Sequence, residues 1–272
     1  MKFKFLCSDL DGTMLSSKSD VSKYLIEQIN KIKHETNIIL VSARMPSAMY
    51  YIQEDLGIKE QPIICYNGAL VLSGNTEITS VFIPISVLNQ IYLLCKGLNA
   101  DLGLYYKNEW YVPRTSVRVE KEIKYTKSTP TFQDTDTTLS DWNERKIGAH
   151  KIMLMCTKES ADELMPILNE KLGALLNLYR SNDTLIEIAP KEVSKLSAIQ
   201  LLLKDHESLQ DVIAFGDNYN DIDMLSNVGC GVAVANAREE VKAISTYITL
   251  ENTQDGVAHY IAENLVILGV GD

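Results

Sequence analysis

Short apolar runs alternate with helix-length amphipathic stretches at both ends of this chain, and no other feature narrows the possible folds as far. Residues 3–8 read as a strand, 20–35 as a helix with Leu25, Ile29 and Ile32 on one face, and "NIILVS" (37–42) as a buried strand. Pro46 suits the first turn of a helix that stops at Gly57. "PIICY" and "ALVLS" follow as strands, the second turning at Ser73-Gly74-Asn75. The rhythm returns late: "DVIAFGD" (211–217), a helix from about 220, "CGVAVAN" (230–236), a further helix, "YITL", and a last helix from 255. Elements in that order imply right-handed βαβ crossovers, hence a parallel sheet with helices on both faces.

Between roughly residues 83 and 189 the rhythm changes. "LGLYYKNEWYVP" reads as two strands around a Lys107-Asn108-Glu109 turn, "HKIMLMC" as a strand and "ADELMPILNEKLG" as an amphipathic helix. "LLNLYR" and "TLIEIA" form a hairpin around Ser181-Asn182-Asp183. Lys124 to Asp141, rich in Thr, Ser and Asp, reads as a solvated loop. The expected fold class is therefore α/β: a Rossmann-like parallel-sheet core from residues 1–82 plus 190–272, with an inserted α+β domain over 83–189. The aromatics Tyr105, Tyr106 and Trp110 fit the core of that insertion better than a ligand platform.

Composition excludes several function classes. A chain of 272 residues with 46% apolar and 23% charged residues can bury a sizeable core. Its net charge of -10 and pI near 5.0 argue against a nucleic-acid surface, so any anionic substrate must be captured locally. The apolar stretch at the N-terminus ends at Asp9, too short for a signal peptide, and no window approaches the ~18 apolar residues of a membrane span, which makes the cytoplasm the expected compartment. Cys7, Cys65, Cys95, Cys156 and Cys230 are scattered in apolar surroundings without C-x-x-C spacing, as buried free thiols would be. Nothing fixes monomer against homodimer.

Ligands bind outside the carboxyl ends of parallel strands. Those ends carry Asp9-Leu10-Asp11, Ser42-Ala43-Arg44, Asn67-Gly68, and Gly216-Asp217-Asn218-Tyr219-Asn220-Asp221. Singly, each Asp also fits a turn or N-cap residue. An EF-hand is excluded, because the sixth loop position is Met14 after Asp9 and Ile222 after Asp217, where the calcium loop needs Gly. Several converging carboxylates repel one another unless a divalent cation holds them, and hard oxygen ligands suit Mg²⁺ better than zinc.

"DLDGT", "VSAR", "VSK" with Lys195, and "GDNYND" stand in the order and approximate spacing of the four motifs of the haloacid dehalogenase superfamily. With "YNGA" at 66–69, "VAVANA" at 232–237 and an insertion of about one hundred residues after the third strand, the chain resembles the Cof-type branch, whose large cap sits there. Ser42-Ala43-Arg44 keeps the hydroxyl and guanidinium of a second motif that commonly reads Thr-Gly-Arg, and Glu192-Val193-Ser194-Lys195-Leu196 lacks the glycines usual around the third.

The resemblance implies a magnesium-dependent phosphatase of small phosphorylated metabolites. In it Asp9 is the nucleophile and Asp11 the acid/base. The metal residues are Asp9, Asp11 through its backbone carbonyl, Asp217 and Asp221; Ser42, Ala43, Lys195 and Asn220 bind phosphate. Arg44 and Asn67 in the core, with Arg180 and Asn182 in the cap hairpin, are candidates for substrate contact. A phosphomutase shares this core and would pass the phosphoryl group to a second hydroxyl. A phosphate- or nucleotide-sensing module is disfavoured, because no G-x-G-x-x-G follows the first strand while every catalytic position is filled.

Overall fold

The computed structural model describes residues 3–17, 19–74 and 76–266. The chain divides into two compact units, Met1–Ile78 with Ser194–Asp272, and Thr79–Val193. In chain order, the first run is β1 (Phe5–Ser8), α1 (Lys23–Ile32), β2 (Asn37–Val41), α2 (Ser47–Leu56), β3 (Pro62–Cys65), β4 (Leu70–Ser73) and β5 (Thr76–Ser80). Helix α1 starts three residues later than its apolar pattern because Ser22 caps it, its hydroxyl accepting from the Leu25 N–H. Gly57 ends α2 in the left-handed conformation, φ +64°, that a C-terminal cap requires. Asn75, of the expected Ser73-Gly74-Asn75 turn, lies outside the described residues.

The second unit contains α3 (Ile85–Cys95), β6 (Ala100–Tyr106), β7 (Glu109–Val112), α4 (Val117–Thr126), β8 (Thr131–Phe132), α5 (Thr135–Glu144), β9 (Lys151–Cys156), α6 (Lys158–Leu172), β10 (Leu176–Asn182) and β11 (Leu185–Pro190). Its six strands run in the order β10-β11-β9-β6-β7-β8. All neighbours pair antiparallel except β7 and β8. A buried cluster that includes Leu88, Ile91, Trp142, Ile152, Leu154, Leu164 and Leu168 fills the space between α3, α5, α6 and one face of this sheet. Tyr105 and Trp110 are buried and stacked, ring centres 5.3 Å apart, as core aromatics.

The segment from Lys124 to Asp141 is not a solvated loop: it holds the end of α4, the strand β8 and most of α5. Helix α5 buries Thr135, Thr138, Leu139 and Trp142, one face of a helix, and two of those four positions are Thr, which hides the period.

The chain then completes the first unit with α7 (Lys195–Gln200), β12 (Val212–Gly216), α8 (Ile222–Asn227), β13 (Cys230–Ala233), α9 (Glu239–Ile244), β14 (Tyr247–Ile248) and α10 (Gly256–Asn264). Its sheet has the order β14-β13-β12-β1-β2-β3-β4-β5, parallel from β14 to β3, with β4 antiparallel to β3. Ser8, the last residue of β1, lies between Phe215 of β12 and Leu40 of β2, so the residues after all three strands emerge at one edge of the sheet. Cys7, Cys65, Cys95 and Cys230 are buried free thiols and Cys156 is a half-buried one. Among the described residues no helix is long and apolar enough to cross a membrane.

Candidate active site

The parallel sheet carries its chemistry where β1 stops. Asp9 extends the pairing by one residue, its N–H donating to the Phe215 carbonyl at 3.0 Å, and the chain then winds through an irregular turn over Leu10–Met14. The β pleat has ended before Asp11, so alternation along a strand does not decide where its side chain points; the turn does. Gly12, at φ +88°, lets that turn close on β12: a Cβ there would meet the Asp217 carboxylate at 2.7 Å. Thr13 Oγ1 donates to Asp217 Oδ1 at 3.0 Å and locks the two loops together.

The two acids of "DLD" thus occupy different environments. Asp9 is buried, and Lys195 Nζ donates to its Oδ1 at 2.6 Å. Asp11 has a half-exposed side chain gripped by Arg44, whose Nε and Nη2 reach its two oxygens at 2.7 Å each. Such a two-point pair fixes the plane of the carboxylate as well as its position. Arg44 is itself fixed, Nη1 donating to the Ala48 carbonyl at 3.3 Å and to Tyr51 Oη at 3.1 Å. Arg44, expected at the substrate, is engaged by Asp11 in this structure.

Lys195 opens α7, where Ser194 and Ser197 form a reciprocal capping box that fixes the start of the helix. Its ammonium is 1% exposed and also donates to Asp221 Oδ1 at 2.6 Å. The other oxygen of Asp221 accepts the N–H groups of Asp217 and Asn218, both at 3.0 Å, so this carboxylate folds its own loop around itself. Gly216 allows the approach, since a Cβ there would lie 2.5 Å from that of Asp221. Carboxylate oxygens of Asp9, Asp217 and Asp221 all lie within 4.8 Å of one another. Asp11 is not of that group.

Burial holds Asp9 well above the usual carboxylate range, against the pull of Lys195 and with the repulsion of Asp221 and Asp217. Burial works to discharge Lys195 too, but Asp221 and Asp9 more than offset it and raise its pKa. Asp217 is pushed up to about 6 by burial and then by Asp221, against the Thr13 hydroxyl.

Of the other expected site residues, Ser42 is buried, its N–H donating to the Ile64 carbonyl at 2.9 Å and its hydroxyl accepting from the Arg44 N–H at 3.2 Å. That leaves the Ser42 hydroxyl, not its N–H, as the donor for a ligand. Ala43 is half-buried between Ser42 and Arg44. Asn67 and Asn220 meet, Asn220 Nδ2 donating to Asn67 Oδ1 at 3.1 Å. Arg180 and Asn182 belong to the second unit: Arg180 ties the hairpin to α6 through Asp162 at 2.5 Å, and within the hairpin Asn182 Oδ1 accepts from the Thr184 N–H at 3.0 Å.

Residues to which the sequence analysis gave no role, Asn236 of "VAVANA" among them, complete the frame. Asn236 Nδ2 donates to the Gly12 carbonyl at 2.8 Å, and Asn252 Nδ2 to that of Leu15 at 2.8 Å, so the turn after β1 is held from the far half of the chain. Arg238 braces the Asp217 loop through Asn218 Oδ1 at 2.9 Å.

The haloacid dehalogenase-like hydrolase family matches residues 6–261. Pyridoxal phosphate phosphatase YbhA of Escherichia coli is 26% identical over 281 residues, covering 98% of this chain and all of that protein. A Bacillus subtilis 5-amino-6-(5-phospho-D-ribitylamino)uracil phosphatase, YitU, is 25% identical over 276 residues, 94% of this chain and 95% of its own length. The crystal structure of a haloacid dehalogenase-like hydrolase from Bacteroides thetaiotaomicron superposes with a TM-score of 0.86 at 26% identity, over 96% of this chain and 99% of that one.

Proposed function

The chain belongs to the haloacid dehalogenase-like hydrolases and is a phosphatase, and we propose that it hydrolyses small phosphorylated metabolites through a phosphoenzyme formed on Asp9. The observation that supports this division of labour is that the two acids are held by different cations, buried Lys195 on Asp9 and Arg44 on Asp11. Asp9, oriented by Lys195, attacks phosphorus and the P–O bond to the leaving group breaks; Asp11, after turning one oxygen from Arg44 and taking a proton from solvent, gives that proton to the departing oxygen. Asp11, now a carboxylate, takes a proton from the water that attacks the phosphoenzyme, releasing phosphate and restoring Asp9. Lys195, the Ser42 hydroxyl and the Asn220 amide supply positive charge and donors to the phosphoryl oxygens.

The donor set fits Mg²⁺: three close carboxylates face a single ammonium, and all their ligand atoms are hard oxygens. Asp9 and Asp217 would hold the ion, with the Asp11 carbonyl, while Asp221 holds the loop. When bound, it would keep Asp9 ionised and neutralise charge on the phosphate. Substrate choice is assigned to the inserted domain, since the core presents phosphate chemistry alone. The relatives acting on pyridoxal phosphate and on a phosphoribitylamino-uracil point to phosphorylated cofactors and their precursors as the first esters to try.

The test is phosphate release from a panel of esters, pyridoxal 5′-phosphate and sugar phosphates among them, with Mg²⁺. Wild type releases free phosphate and Asp9→Asn does not. A phosphoryl group that moves to a second hydroxyl without appearing as phosphate makes the protein a mutase, and turnover retained by Asp9→Asn removes it as nucleophile.

A further inference from the structure

Tyr66, Asn67 and Gly68, between β3 and β4, carry three successive positive φ angles, +53°, +56° and +108°. Left-handed residues are common in tight hairpin turns, and Cys65 does pair with Leu70 across this one. A hairpin alone does not require a bulky residue there, and Tyr66 is 1% exposed, so neighbours must hold the conformation.

Those neighbours are the segments of the phosphate site. The Asn67 N–H donates to the Ser42 carbonyl at 2.9 Å, and the Tyr66 N–H to that of Arg44 at 3.2 Å. Gly68 lies so close to the start of α7 that a Cβ would meet the Ser194 carbonyl oxygen at 2.4 Å, one residue before Lys195. The Asn67 carboxamide accepts from Asn220. One strained turn therefore touches the loops that carry Ser42, Lys195 and Asn220, which lie far apart in the chain.

We propose that the Tyr66–Gly68 turn preorganises the phosphate site, with Asn67 as its positioning residue acting through Asn220 and the Ser42 loop; this rests on the phosphatase reading above. Strain stored in such a turn keeps the donors in place before substrate arrives, so its effect belongs to turnover more than to substrate binding.

The experiment compares wild type, Asn67→Gly, Asn220→Ala and the double variant, on p-nitrophenyl phosphate and pyridoxal 5′-phosphate with Mg²⁺, alongside melting temperatures. Glycine adopts the left-handed backbone freely, so Asn67→Gly should melt within about 3 °C of wild type. Its kcat should fall at least about tenfold while KM moves less than about threefold. The double variant should be no slower than Asn220→Ala, because the two residues act as one unit. An Asn67→Gly kcat within twofold of wild type, or effects that multiply in the double variant, overturns the positioning role and leaves a simple hairpin turn, with the phosphatase reading intact. If the wild-type chain releases no phosphate from either ester, the phosphatase reading falls and the positioning role with it.

Discussion

Replacing Lys195 with Met tests whether this ammonium is what allows two acids to be buried together. Its Nζ lies 2.6 Å from an oxygen of Asp9 and 2.6 Å from one of Asp221. At an effective dielectric of about 20, each such contact is worth roughly 6 kcal/mol of Coulomb attraction, most of which offsets the desolvation of three ions. Met fills the volume but leaves Asp9 and Asp221 close together with no cation between them. Removing one partner of a buried pair costs about 3–5 kcal/mol, and Lys195→Met should lose about that much at pH 7.5 in urea unfolding without divalent cation. The pH dependence gives the sharper test. Asp9 is already raised in the folded protein, and losing Lys195 removes the attraction that pulls it down. A carboxyl raised in the fold binds a proton that the unfolded chain releases, so stability returns as the pH falls through the folded value. The gap between variant and wild type should therefore narrow from pH 7.5 to 5.5, and Mg²⁺ should narrow it as well. Equal unfolding midpoints at pH 7.5, or a gap that widens on acidification, would refute the charge argument.

Arg44→Met releases Asp11 from its two-point clamp, and kcat should drop roughly tenfold to a hundredfold on alkyl phosphates while p-nitrophenyl phosphate, whose leaving group needs no proton, is affected far less; equal losses on both would place Arg44 elsewhere in the reaction. Asp217 sits at about 6, so cation binding should release a proton near that pH, and calorimetry in two buffers of different ionisation enthalpy should detect it; cation affinity that is flat between pH 7.5 and 5.5 contradicts the assignment. His150 is pushed down to about 3 by burial and then by Lys107, and its Nδ1 accepts the Lys107 N–H at 3.2 Å, which leaves the proton on Nε2 facing Ser80 Oγ at 2.9 Å. Below pH 6.5 the unfolded chain takes up a proton that the folded ring refuses, costing ~1.4 kcal/mol per pH unit, about 2 kcal/mol at pH 5. His150→Gln should flatten the acid limb of the unfolding curve over that window.

The positions of the acids were legible in the sequence because a strand-end argument needs only local pattern. An apolar run ending in Asp9, one ending at Ser42 and one ending at Asp217 must meet at one sheet edge if the strands are parallel neighbours, and in the sheet they are. Which side chain binds which is a different kind of fact. Arg44 and Asp11 are 33 residues apart, and Asn67 and Asn220 are 153. No local pattern distinguishes an arginine aimed at a ligand from one aimed at a neighbouring carboxylate. The stretch from Lys124 to Asp141 failed for the opposite reason: its helical period exists, but Thr135 and Thr138 hold core-facing positions. The Thr138 hydroxyl can be buried because it donates to the Asp134 carbonyl one turn back, at 3.1 Å.

Four carboxylates and two cations stand around this sheet edge, and how the donors are shared supports different roles for the acids. Asp221 is fully engaged, by Lys195 on one oxygen and two backbone N–H groups on the other, so it has least to offer an ion. Asp11 has Arg44 on both oxygens and half its surface in solvent, so on the proposed mechanism water is within reach to exchange protons with it once an oxygen leaves Arg44. Asp9 shares its cation with Asp221, and Asp217 has the Thr13 hydroxyl. The uncompensated charge therefore lies between Asp9 and Asp217. A divalent ion placed there would offset the burial, and after it the repulsion from neighbouring carboxylates, that raise both pKa values, and on the proposed mechanism it would leave Asp9 charged for attack on the phosphate. On the proposed mechanism, the separation of nucleophile from acid is thus set by which cation each carboxylate is given, more than by the single residue between them.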